Sequence, residues 1–200
     1  MNNLNKNYWE NRYLNQEIAW DIGHISPPLE VYFRQMTDKS LKILIPGCGN
    51  AYEAAYLWHH GFKNVYLLDW SNTALQNFKR NLPDFPNEQL INIDFFEYNV
   101  AEDEAYDLVI EQTFFCAINP HFRSKYVEKM SHLLKKGGKL VGLLFNIPLN
   151  LGGHEPPFGG NERMYQRLFE PYFDIKAMSV CSNSLRPRAG NELFVKMISI

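Results

Sequence analysis

From residue 41 onward, short apolar runs alternate with amphipathic stretches, the pattern of strands joined by helices in a largely parallel sheet. Strands are expected at 41–46, 65–70, 90–95, 106–112, 139–145, 173–180 and 192–200, which makes seven. Helices fall between them at about 51–60, 72–81, 120–135 and 161–169, with Gly137 and Gly138 as the stop of the third. The last two strands are joined by residues 182–190 with no helix, so they form an antiparallel hairpin. Residues 1–40 carry Trp9, Tyr13, Trp20 and the pair Pro27-Pro28, and predict a helix followed by an irregular arm over one end of the sheet. The fold class is therefore α/β, doubly wound, with helices on both faces.

Composition narrows the functional classes. At 200 residues the chain suits one domain, residues 1–200, with residues 1–40 as a cover. The 46% hydrophobic content is enough for a sizeable core, and the 14% aromatic content is generous enough to line a pocket. A net charge of -2, with Lys and Arg scattered singly, lacks the electrostatic footprint of a nucleic-acid or anionic-membrane binder. A small-molecule acceptor is expected, with neither nucleic acid nor membrane as partner, and a monomer is the default. Cys48, Cys116 and Cys181 lie far apart with no paired spacing, and the six histidines show no ligand spacing, so neither a disulfide framework nor a metal site is expected. No apolar run is long enough to cross a bilayer and residues 1–9 are polar, so the cytoplasm is the expected compartment.

The chemistry starts at Ile43-Leu44-Ile45-Pro46-Gly47-Cys48-Gly49-Asn50, a strand that runs into a glycine turn and then a helix. Gly47 and Gly49 permit positive φ and let a ligand approach the backbone. Asp69 stands 22 residues after Gly47, at the end of the second strand, where doubly wound sheets place a carboxylate on two ribose hydroxyls. A dinucleotide site asks for a third glycine three positions after the second, and Tyr52 stands there instead. S-adenosylmethionine carries no phosphate and needs fewer glycines. Asp94 and Phe95 end the third strand, where an acid can accept from an adenine amino group while a ring stacks on it; Asp94 serves equally as a turn cap. Glu111 ends the fourth strand on the ligand edge, able to take an amino group or to form a surface ion pair.

These residues resemble the thiopurine S-methyltransferase family, in its thiol and halide methyltransferase branch. The resemblance rests on Trp9-Glu10-x-x-Tyr13 with Trp20-Asp21-x-Gly23, on the glycine turn, on Leu68-Asp69-x-Ser71, and on Asp94-Phe95-Phe96. Above all it rests on the run from Tyr106 through Glu111-Gln112-Thr113-Phe114-Phe115-Cys116-Ala117-Ile118-Asn119-Pro120, closed by Arg123. Gly152-Gly153-His154-Glu155-Pro156-Pro157-Phe158 is similar to the family's Gly-Gly-Pro-Pro-aromatic loop, with His154-Glu155 inserted. The resemblance implies a Rossmann-like class I methyltransferase fold, S-adenosylmethionine as donor and S-adenosylhomocysteine as product. It further implies that Trp9 and Trp20 fold over the cofactor, that Asp69 holds ribose, that Asp94 and Phe95 hold adenine, and that the Glu111-Gln112 corner lies beside methionine. Glu111 and Gln112 depart from the Asp and Tyr common in plant relatives.

A thiolate or halide acceptor is anionic before attack, so no base is required once a thiol has ionised, and the expected helper is a cation that lowers the thiol pKa and holds the anion. Arg123, after the fourth strand, is the candidate, with a helix ion pair as its other possible role. Asp21, Phe115 and His154 are the residues expected near the acceptor; Asp21 equally shapes the arm, and His154 equally faces solvent. Arg186 and Arg188 in the hairpin loop either guard the entrance or are ordinary surface residues. Cys116, in an apolar run, is a buried hydrophobe rather than a nucleophile. The competing readings are a nicotinamide-dependent oxidoreductase and a nucleoside-binding module without catalysis.

Overall fold

A computed structural model describes residues 4–150 and 155–200. Among them, β1 (Ile43–Pro46), β2 (Val65–Leu68), β3 (Leu90–Ile91), β4 (Tyr106–Gln112), β5 (Leu134–Phe145), β6 (Phe173–Val180) and β7 (Glu192–Ser199) form one seven-stranded sheet in the order β3-β2-β1-β4-β5-β7-β6. β1 to β5 pair in parallel with one another, and β7 enters antiparallel between β5 and β6. The helices are α1 (Lys6–Leu14), α2 (Pro27–Arg34), α3 (Tyr52–His59), α4 (Asn72–Asn81), α5 (Arg123–Leu133) and α6 (Glu162–Phe169).

Strand residues alternate between two cores because side chains in a strand point to opposite faces in turn. Leu44, Leu68, Val109, Leu140 and Leu144 join Tyr126 and Met130 of α5 and Phe169 of α6 in one core. Ile43, Ile45, Leu67, Leu108, Ile110 and Val141 join Leu29 and Phe33 of α2, Leu57 of α3 and Phe78 of α4 in the other. Fully apolar runs such as Ile43-Leu44-Ile45 are what a sheet covered on both faces requires.

The structure corrects four sequence expectations. The arm is not wholly irregular, because α2 starts at Pro27, where the missing N–H is an unused donor in any first turn. β3 stops at Ile91, at the sheet edge. There the Asn92 amide donates to the Asp69 and Trp70 carbonyls and turns the chain away, leaving Asp94 and Phe95 beyond the strand. Pro120–Phe122 forms a 3-10 turn, and α5 runs only from Arg123 to Leu133. Gly137 and Gly138 do not stop that helix. They lie inside β5, where the register with β4 jumps from Tyr106↔Leu134 to Leu108↔Lys139. The terminal hairpin forms as expected.

Candidate active site

The sheet order reverses at β1, which has β2 on one side and β4 on the other, and ligands of open α/β sheets sit in the crevice outside the strand ends at such a point. A cavity of about 680 Å³ opens there. β1 is followed directly by Gly47, with φ +57, where an added Cβ would stand 2.2 Å from Cδ2 of Phe114. The missing side chain lets the turn after β4 lie directly against the turn after β1. At Gly49, φ +54, a Cβ would stand 2.5 Å from the Tyr13 hydroxyl. The Gly49 N–H donates to Asp69 Oδ2 at 2.8 Å, and the Ser71 N–H donates to Oδ1 at 2.8 Å. The glycine turn and the acid ending β2 therefore meet.

Asp69 lines the cavity while only 7% exposed. Burial pushes its pKa up to about 6, against the opposing N–H bonds from Ser71 and Gly49. A carboxylate offers about four lone-pair sites, so capacity remains for a pair of hydroxyls. Asp94 and Phe95 line the same cavity. Asp94 Oδ1 caps the Phe96 N–H at 2.9 Å, and the Phe95 ring meets Phe114 edge-on at 5.1 Å.

The facing wall comes from α1 and the arm. Trp9 and Trp20 meet edge-on at 5.7 Å, and Trp20 meets Tyr13 at 6.0 Å. Phe145, Pro156, Pro157 and Arg188 also line the cavity. Arg188 Nη2 donates to the Trp20 carbonyl at 2.7 Å, and Nη1 pairs with Glu192 Oε1 at 3.2 Å. The hairpin loop is thereby tied to the arm.

Residues 4–197 match the family model described as thiopurine S-methyltransferase. The chain belongs to the thiopurine S-methyltransferase family. It is a methyltransferase, and its donor is S-adenosylmethionine. The methyltransferase is 31% identical over 189 residues to "Probable thiol methyltransferase 2" of Arabidopsis thaliana, covering 92% of this chain and 81% of the relative. It is 28% identical over 190 residues to "Thiocyanate methyltransferase 1" of Arabidopsis thaliana, with the same coverage. To "Thiopurine S-methyltransferase" of Vibrio cholerae it is 25% identical over 179 residues, 81% of this chain and 79% of the relative. Among solved structures, the 1,6-didemethyltoxoflavin-N1-methyltransferase of Burkholderia thailandensis, with bound 1,6-didemethyltoxoflavin and S-adenosylhomocysteine, matches 98% of this chain and 87% of its own at TM-score 0.78 and 14% identity. A TehB-like S-adenosylmethionine-dependent methyltransferase of Corynebacterium glutamicum matches 98% of each chain at TM-score 0.63 and 14% identity. These two structural likenesses speak for the class I, Rossmann-like fold alone.

Of the residues singled out in the sequence, Trp9, Trp20, Gly47, Asp69, Asp94 and Phe95 share the cavity wall. Gly49 stands behind Asp69 as its hydrogen-bond donor. Arg123 does not face the cavity. It is 6% exposed, lies with its guanidinium 4.5 Å over the Phe115 ring, and donates through Nη1 to the Gly159 carbonyl and through Nη2 to that of Phe158, each at 2.8 Å. Burial lowers its pKa. Its reach goes to the loop that carries Pro156 and Pro157, whose wall it braces.

Glu111 is also turned inward, 1% exposed. Oε1 accepts from the Phe114 and Phe115 N–H groups, each at 2.8 Å, and Oε2 accepts from the Tyr126 hydroxyl. Burial pushes its pKa up to about 7 against the donors Tyr126, Phe115 and Phe114. The carboxylate thus holds the turn at Thr113, which has φ +59 although β-branched. Gln112 accepts from the Thr113 hydroxyl at 2.7 Å and stands off the wall. Asp21 shapes the arm: Oδ1 takes the Gly23 N–H at 2.6 Å and Oδ2 takes the Asn50 amide at 2.5 Å and the Tyr52 hydroxyl at 3.3 Å. Phe115 is core, packed on Tyr126, Tyr165 and Phe169. His154 lies outside the described residues. Cys116 lines the cavity, but burial pushes its thiol up to about 12, so it stays protonated and inert as a nucleophile. Among the described residues no His, Cys, Asp and Glu cluster is arranged for a metal.

Sequence reasoning assigned no role to Tyr8, Arg12, Thr113 or Phe114 on the wall, and left Arg188 undecided. The signal available for Phe114 was its place just past the end of β4; for Tyr8 and Arg12 it was their neighbourhood to Trp9.

Proposed function

We propose that the methyltransferase holds S-adenosylmethionine with its ribose on Asp69 and its adenine beside Asp94 and Phe95, and transfers the methyl group to a small soft nucleophile, a thiol, thiocyanate or halide. The observation that carries this reading is the direct bond between the Gly49 N–H and Asp69 at the edge of an aromatic-walled cavity. Free acceptor sites on a buried carboxylate suit a vicinal diol, and relatives named for thiols and thiocyanate support the acceptor class.

The sulfonium donor supplies an already activated methyl group, so the chain has mainly to position. Fixing two reactants in attack geometry is worth about 7–11 kcal/mol of barrier. Trp9, Trp20 and Tyr13 close the cavity, exclude water and set aromatic rings around a cationic ligand, which attracts it by about 0.5–2 kcal/mol. Phe114, held against Gly47 by the Glu111 carboxylate, forms the floor. Arg188 replaces Arg123 as the cation for the anionic acceptor, since its guanidinium reaches the wall beside Phe145 and the proline pair. A thiolate needs no base once ionised, and a cation beside it lowers the pH at which that happens.

The chain acts as one unit in this reading, with residues 4–40 as the cover of the cofactor site. No described helix is long and apolar enough to cross a membrane, and the three cysteines are free, which suits a reducing cytoplasm. Calorimetric titration with S-adenosylhomocysteine, followed by a turnover panel of hydrosulfide, thiophenols, thiopurines, thiocyanate and iodide, tests it. Micromolar-class product binding with turnover of at least one soft anion is expected; binding without turnover of any of them would remove the acceptor class.

A further inference from the structure

Helix α1 brings Tyr8, Trp9, Arg12 and Tyr13 to the cavity, yet only Tyr13 of its nine residues is buried. An apolar face does not hold this helix down. Glu10 does: its Oε1 accepts from the Thr73 hydroxyl at 2.5 Å, and its Oε2 accepts from the Ser71 hydroxyl at 2.7 Å and the Thr73 N–H at 3.3 Å. Thr73 lies in the first turn of α4 and Ser71 is its N-cap, a helix start where unpaired N–H groups and the helix dipole favour a negative charge. Bonds from Thr73 and Ser71 outweigh the cost of burial and hold the Glu10 carboxyl below its ordinary range.

Ser71 joins two structures. Its hydroxyl grips Glu10 on the lid, while its N–H grips Asp69 Oδ1 on the sheet at 2.8 Å. We propose that Glu10 is a positioning residue for S-adenosylmethionine: it latches α1 over the cavity through Ser71 and Thr73, so that occupancy at Asp69 and closure of the aromatic lid are one coupled event. The proposal rests on the reading of Asp69 as the ribose acid. A ligand on Asp69 stiffens the Asp69–Ser71 corner on which the latch sits, and a closed latch keeps Trp9 and Tyr13 against the ligand. Coupling through that shared corner is reciprocal, so each favours the other.

The experiment uses the full chain and its Glu10→Ala, Glu10→Gln and Asp69→Ala variants. Calorimetry with S-adenosylhomocysteine is combined with hydrogen exchange of residues 6–14 with and without that ligand, and with thermal melting of the ligand-free proteins. In the unaltered protein, exchange of 6–14 slows when the ligand binds. Glu10→Ala raises the ligand Kd about tenfold, the loss expected of hydrogen bonds to a charged group that are partly replaced by water. Its 6–14 exchange no longer responds to ligand, while its ligand-free melting point stays near that of the parent. Glu10→Gln, which keeps an acceptor for Thr73, recovers part of the affinity. Unchanged Kd in Glu10→Ala, with Asp69→Ala weakened, overturns the latch alone; unchanged Kd in Asp69→Ala overturns the ribose reading beneath it. A fall in ligand-free melting point with Glu10→Gln no better than Glu10→Ala also overturns the latch, since that is what a purely structural contact would give.

Discussion

The two walls of the cavity are built on different physics. The sheet wall (Gly47, Asp69, Phe95 and Phe114) is fixed by parallel ladders and by two buried carboxylates, Asp69 and Glu111, each of which accepts from two backbone N–H groups. The lid wall (Tyr8, Trp9, Tyr13 and Trp20) rests on a few long-range side-chain ties: Glu10 to Thr73, Asp21 to Asn50 and Arg188 to the Trp20 carbonyl. Burial raises the pKa of both sheet-wall acids, whereas Glu10 on the lid titrates below its ordinary range. The difference teaches a division of labour. The sheet side is held by many backbone bonds, whereas the lid side depends on few ties, the kind of region that opens locally at least cost.

The largest effect belongs to the floor of the sheet wall. Gly47→Ala places a Cβ into the Phe114 ring at a left-handed φ. We expect about 1–3 kcal/mol of lost stability and a fall in S-adenosylmethionine affinity on the order of a hundredfold from a displaced floor, read by thermal melting and calorimetry. An equivalent glycine-to-alanine change that left both intact would break the claim that this wall is rigid. Next comes Asp69→Ala, which removes a charged acceptor and should raise the donor Kd by about 10- to 100-fold with the lid residues untouched.

Arg188→Gln is expected to do the reverse. It should raise the KM for an anionic thiol about tenfold, with a smaller change in donor Kd, as measured by product formation across thiol concentrations. Equal changes in both constants would erase the boundary between donor and acceptor ends of the cavity. The smallest effect is the pH dependence. Glu111 titrates at about 7 in the folded chain, above its ordinary value, so its contribution to stability is full below about pH 4.5 and is lost as the pH rises through 7. Glu10 has the opposite sign and acts on the seating of α1 rather than on the sheet: its contribution to that local closure is present above its ordinary carboxylate pKa and fades as the pH falls through its lowered value. Denaturant titrations at several pH values should therefore show a slope between pH 4.5 and 7 that Glu111→Gln flattens and Glu10→Gln does not.

What could be read from the chain and what could not divides along the same boundary. The convergence of Gly47, Gly49 and Asp69 was legible because strand ends and tight turns are local, and a parallel sheet puts consecutive strand ends side by side. Asp94 and Phe95 line the cavity although β3 stops earlier, since the chain leaves the strand without leaving the cavity. Arg123 was placed on the correct edge, but the direction of its side chain is decided by the carbonyls of Phe158 and Gly159, separated from it by 35 and 36 residues. Glu111 looked available because nothing in its neighbourhood shows that Thr113 would adopt a left-handed turn and claim the carboxylate. Glu10 and Arg188 act across 63 and 168 residues, distances at which a single sequence carries no pairing signal. α2 was within reach: Ser26 before Pro27, then Leu29 and Phe33 four apart on one face, is a helix start and an apolar stripe.

The most direct test is a crystal structure of the chain with S-adenosylhomocysteine. Both ribose hydroxyls should lie within hydrogen-bond distance of the Asp69 carboxylate, with the adenine beside Asp94 and Phe95 and the sulfur facing Trp9 and Trp20. A ligand seated in another part of the molecule, or in this cavity with its ribose turned away from Asp69, would contradict the placement on which the proposed transfer depends.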